Sequence, residues 1–99
     1  MKEKSSENPL LSRVNILKNL SFSQLCELPD SNSEEVTIDN RIYSFNTWKE
    51  QISNHEVQVV VQCQHNFILG FSGTSALGFT KTSAEIMRDL ADSELYRYI

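Results

Sequence analysis

Cys63 and His65 stand two residues apart in a stretch that alternates apolar and polar side chains. On an extended strand, residues i and i+2 point to the same face. A thiol and an imidazole would then share one surface, the starting arrangement for a thiol nucleophile. Val57, Val59 and Val61 continue that face. A valine face belongs in a core, where burial disfavours the thiolate. His65 falls where the strand is expected to turn. No catalytic group is expected, Cys63 and His65 being the nearest candidates, and the expected role of Cys63 is that of a small core residue. His55, His65, Cys26 and Cys63 are the possible metal ligands, and they lack the short paired spacings of a zinc site. Neither a metal nor a cofactor is expected.

Gly73-Thr-Ser-Ala-Leu-Gly78 has the glycine spacing of a phosphate-binding loop, but Phe79 stands where the phosphate-contacting lysine belongs. The glycines read as places for turns or a bulge. Leu17–Leu28 can be drawn as a helix-turn-helix, yet its second helix, Phe22-Ser-Gln-Leu-Cys-Glu27, has no Arg or Lys to meet DNA. Tyr43 and Trp48 are the aromatic residues best suited to line a ligand pocket. Glu85, Asp89 and Asp92 form an acidic stripe, a docking surface for a basic protein partner if it is more than a solvated face.

The 99 residues carry a formal charge of −4. Residues 1–30 hold four basic and four acidic side chains, so the whole excess lies in residues 31–99. An acidic body repels phosphate backbones, and no nucleic-acid partner is expected. Two cysteines do not make a secreted disulfide framework. The charged start, Met1-Lys-Glu-Lys, has no apolar run behind it, so no secretory signal is expected and the expected location is cytoplasmic. No apolar run is long enough for a membrane helix.

These residues need elements to position them. Residues 1–7 are polar and expected to be disordered. Residues 8–29 read as an N-terminal helical arm. Asn8-Pro9 caps and starts its first helix, with Leu10, Val14 and Leu17 on one side. Ser21 and Gln24 form a capping box for its second helix. Residues 30–34 read as a linker, and residues 35–99 as an α+β body. Val36 and Ile38 flank Asp39-Asn40 with Tyr43 and Phe45, a hairpin whose register sets Val36 opposite Tyr43. Thr47-Trp48-Lys49-Glu50 reads as the start of a two-turn helix. Val57–Cys63 and Phe67–Phe71 alternate about a polar break at Gln64–Asn66, predicting a second hairpin. Ala76–Phe79 is either a short strand or loop. Thr82 and Glu85 open a last helix bearing Ile86, Met87 and Leu90, which Asp92-Ser93 breaks.

The expectation is an α+β fold: an antiparallel sheet of four to five strands, helices packed mainly on one face, order ααββαββ(β)α. The expected function is that of a non-enzymatic, self-associating protein-interaction domain. Val60 and Ile68 place apolar groups on the otherwise polar face of the long hairpin. With Leu17 they are the expected contacts of a homodimer. The alternative is a small-ligand-binding protein or small enzyme with a pocket between sheet and helices.

Overall fold

The computed structural model describes residues 9–38, 40–66 and 72–98. Two helices come first, α1 (Pro9–Lys18) and α2 (Phe22–Cys26). Five strands follow: β1 (Ser31–Ile38), β2 (Arg41–Ser53), β3 (Glu56–Asn66), β4 (Ser72–Thr82) and β5 (Met87–Asp89). A one-turn helix, α3 (Asp92–Leu95), runs into a 3-10 turn over Tyr96–Tyr98. The sheet order is β1-β2-β3-β4-β5 and every neighbour is antiparallel. The fold is α+β in the order ααβββββα.

Local sequence explains the first elements. Pro9 takes the first helical position, where a missing N–H is harmless. Leu10 and Val14 are buried, and Leu17 is half-buried on the same side. The capping box is complete: Ser21 Oγ accepts from Gln24 N, and the Gln24 side chain accepts from Ser21 N. Val36 pairs with Tyr43, and Asn40 takes the left-handed conformation, φ 65°, that a tight hairpin turn requires.

Strand alternation divides the core in two. On one face Phe45, Val57, Val59, Val61, Cys63 and Phe79 pack beneath Leu10, Val14 and Leu25 of the helices. On the other face Val60 and Ala76 pack beneath Leu90 and Leu95, with Trp48 and Tyr98 closing the cluster. The C-terminal turn is pinned there by Gln62 Nε2, which donates to the Tyr98 carbonyl at 2.6 Å.

Two lysines project from the sheet into the helix face. Lys81 is only 6% exposed, and its Nζ donates to the carbonyls of Lys18 (3.0 Å) and Leu20 (2.6 Å) at the end of α1. Lys49 Nζ donates to the Cys26 carbonyl, the end of α2, at 3.1 Å. The last carbonyls of a helix lack intrahelical donors, and its C-terminus favours a cation. Glu85 completes the junction: its carboxylate accepts from Phe22 N at the start of α2 and lies 3.5 Å from Lys81 Nζ.

Several expected elements differ. The helix expected at Thr47 is strand: β2 runs unbroken through Trp48, Lys49 and Glu50, because β3 pairs with all of this backbone on one side, and on the other β1 pairs with it as far as Trp48 and the Asp30 carbonyl accepts from Lys49 N. The last helix, expected from Thr82, is a turn into β5. Thr82 Oγ1 accepts from Ala84 N and Ile86 N, and Glu85 sits at φ 64°, which no α-helix allows. Ser31–Glu34, within the expected linker, are the first half of β1. The long hairpin pairs β3 with Ser72–Thr82, Asn66 lying opposite Ser72. Phe67, Leu69 and Phe71, expected to supply that partner strand, lie outside the described residues. Asp92-Ser93 begin α3 rather than break a helix. Gly78 serves no turn: it stands within β4, where an added Cβ would come within 2.7 Å of Leu90 Cδ1 and 2.9 Å of the Val59 carbonyl oxygen.

Candidate functional site

Among the described side chains Cys63 and Tyr43 share the helix-face core, and Trp48 lies on the opposite face. Cys63 lies on the helix face opposite Phe45 and Ser75, 4% exposed. Burial pushes its thiol above the usual range, with the Arg13 guanidinium pulling the other way. His65 pairs through its backbone with Tyr43 and Gly73. Its side chain, and with it the expected thiol–imidazole pair, lies outside the described residues. Tyr43 is half-buried on the helix face, its ring 6.4 Å from Phe45. Trp48 is on the opposite face, 5.3 Å from Tyr98. The two aromatics therefore cannot line one pocket. Among the described residues no group of three His, Cys, Asp or Glu is placed to hold a metal ion, and no helix is long and apolar enough to cross a membrane.

The expected dimer contacts also change. Val60 is 1% exposed, covered by the chain's own C-terminal turn. Leu17 is half-buried against the helix-face core. Ile68 lies outside the described residues. At Val60 the second face is covered by the chain itself.

What the sheet leaves open is an edge. β5, at one end, is three residues long. β1, at the other, is eight residues long, and all of it is exposed except Val36 and Ile38, which are half-buried. Lys49 N donates to the Asp30 carbonyl at 2.9 Å, so residues 30 and 49 are a hydrogen-bonded pair continuing the β1–β2 register. Hydrogen-bonded and non-bonded pairs alternate along an antiparallel ladder. Asn32, Glu34, Val36 and Ile38 therefore turn their backbone groups toward β2. Ser31, Ser33, Glu35 and Thr37 turn theirs outward, and among the described residues no strand lies beyond them.

Each face of this edge carries a recess. On the helix face a groove of about 340 Å³ runs between α1 and the Leu28-Pro29 corner, with Asn32 and Thr47 as its floor. Its α1 wall is Ser12, Arg13, Ile16 and Leu17, so the lining is largely apolar. Arg13 is already engaged, 2.9 Å from Glu34 and with its guanidinium 4.1 Å over the Phe45 ring. On the other face a polar recess of about 340 Å³ is bounded by Ser33, Glu34, Glu35, Ser44, Asn46 and Gln64. Asn46 is fixed there by Ser33 Oγ, which donates to its Oδ1 at 2.7 Å, and by its own Nδ2, which donates to Gln62 Oε1 at 2.9 Å. Among the described residues Glu35 has neither an ion pair nor a side-chain hydrogen bond.

Comparison of the chain with protein-family models, with curated proteins and with solved structures gave no match. Sequence patterning passes over β1 because Ser31-Asn-Ser-Glu-Glu35 has no apolar alternation. Only the Val36–Tyr43 register, extended back along the strand, points to it.

Proposed function

We propose that this chain is a non-enzymatic protein-interaction domain that takes up an extended segment of another polypeptide as a sixth strand beside β1. The observation that carries this is the row of outward backbone groups at Ser31, Ser33, Glu35 and Thr37 on an eight-residue edge. Unpaired edge groups are a template for strand addition, in which the main chain supplies affinity and flanking recesses supply selectivity. The buried Cys63 thiol and the separation of Tyr43 from Trp48 favour this over catalysis.

Self-association through Val60 is blocked by the C-terminal turn, and the β1 edge offers it another route. The small-ligand alternative has its counterpart in the groove, at the lower end of ordinary ligand pockets of about 300–1,000 Å³. None of Cys63, Tyr43 or Trp48 lines it.

The test is selection of displayed random peptides on the wild-type protein, followed by binding to a Ser33→Pro variant. Proline there removes an outward N–H and leaves the β1–β2 ladder intact. Selected peptides are expected to lose binding to the variant. Peptides that bind both proteins equally, or a selection that enriches none, would overturn the proposal.

A further inference from the structure

We infer, resting on the strand-addition reading, that the segment received by β1 carries an apolar residue and a basic residue three positions apart, on opposite faces of the added strand. Side chains of a strand alternate between faces, and directly opposed residues share a face. A residue set opposite Asn32 projects to the helix side, beside the groove walled by Ile16, Leu17, Leu28 and Pro29. A residue set opposite Glu35 projects to the other side, over the recess bounded by Ser44 and Gln64. Residues 32 and 35 are an odd number of positions apart, so their partners must face opposite ways.

Charge decides what suits each place. Glu34 is neutralised by Arg13 at 2.9 Å, within reach of the groove. Glu35 has no cation among the described residues, and the hydroxyl and amide groups of its recess offer further hydrogen bonds to a guanidinium or ammonium. A charge-assisted bond to Glu35 is the strongest single polar contact available along this edge.

The same charges disfavour a second copy. A two-fold antiparallel pairing of β1 with itself must centre on one residue. The two longest overlaps centre on Glu34 or Glu35; the second sets the uncompensated Glu35 opposite its own copy, a destabilising cross-strand pair, while the first opposes two glutamates each held by its own Arg13. Overlaps centred on Ser33 or Val36 avoid this by giving up part of the strand. β1 also has no Lys or Arg to offer Glu35 of a second copy. Acidic residues at an open edge act against self-pairing while leaving a basic strand welcome.

The experiment uses fluorescent eight-residue threonine-rich peptides read by anisotropy. One carries Leu and Arg three positions apart. A second carries Leu and Glu at the same places, and a third carries Leu and Arg two apart. The first is expected to bind best. Glu35→Gln should weaken it by about threefold to tenfold, the worth of one charged contact at a partly exposed site. Glu35→Lys should reverse the preference in favour of the Leu–Glu peptide.

Ser33→Pro and Thr37→Pro, each checked for native circular dichroism, should abolish binding of all three peptides. If they do so while the Glu35 variants change nothing, the strand-addition reading stands and the apolar–basic rule is overturned. If binding survives both prolines, or no peptide binds, strand addition itself is overturned. A dimeric mass in light scattering that becomes monomeric in Ser33→Pro would make a second copy the occupant and overturn the basic-partner inference.

Discussion

Replacing Lys81 by methionine isolates the contribution of the lysine cap. Lys81 is 6% exposed, and its ammonium holds two carbonyls, Lys18 at 3.0 Å and Leu20 at 2.6 Å. Methionine retains most of the apolar stem, so little packing is lost. The carbonyls keep their positions and lose their donor, and each charge-assisted hydrogen bond is worth about 1.5–3 kcal/mol. The Glu85 carboxylate, 52% exposed, is resolvated by water and adds almost nothing. Relaxation of the α1 end recovers part of the loss, leaving about 2–4 kcal/mol. That is a large part of the roughly 5–15 kcal/mol a domain of this size possesses. In urea, with a slope of about 1.5 kcal/mol per M, the midpoint should fall by roughly 1–3 M. Lys49→Met, with a single carbonyl at 3.1 Å, should lose about half as much. A Lys81→Met midpoint within about 0.3 M of wild type would show that water serves the α1 end equally well, refuting the capping argument.

Gly78→Ala should destabilise by about 1–3 kcal/mol, because its Cβ meets the Val59 carbonyl as well as Leu90 and Val60; an unchanged thermal midpoint would count against this close approach. In native protein Cys63 should be labelled by a thiol reagent only as fast as the domain unfolds, its thiolate being disfavoured by burial, while the half-buried Cys26 reacts sooner; equal rates at both would contradict the buried placement. The Arg88 hydrogen bonds at 3.1 and 3.2 Å, and the bond from Ala91 N, hold the Glu94 carboxyl below the usual carboxylate range. A lowered carboxyl favours the folded turn above its ordinary titration range, and that support is lost as pH falls through the lowered value. Emission of the single tryptophan, Trp48 against Tyr98, should therefore shift on acidification before the helix face unfolds, and the shift should be absent in Glu94→Gln.

The parts of the fold legible in the sequence are those where local chemistry and tertiary packing agree. The alternation at Val57–Cys63, the Ser21–Gln24 capping box and the Asn40 turn each have one low-energy reading, and each forms. Thr47–Glu50 has two. Its capping-box spacing fits a helix, while Thr47, Trp48 and Ile52 fit a strand, and pairing on both sides decides for the strand. Ala76–Phe79 of β4 reads equally as a short strand or as loop because Ala76 and Gly78 are small. They are small to admit Leu90 and Leu95 above them, a constraint imposed by residues distant in sequence. Lys49 and Lys81 look like surface charges until the helices they cap are in place. The candidate site was the least legible part. An open edge is defined by what stands beside a strand, and β1's polar composition matches that of a linker.

The meander order also bears on how the chain folds. Every rung of the sheet joins neighbours in sequence, so its ladders can close one hairpin after another with modest loop-closure entropy. The bonds from Lys81 to Lys18 and Leu20 bridge 63 and 61 residues, and they require β4 to be in place before the end of α1 has a donor. Docking of the helical arm is therefore expected late in folding. Mutations in the β2–β3 hairpin should slow folding, whereas mutations of the lysine cap should chiefly speed unfolding.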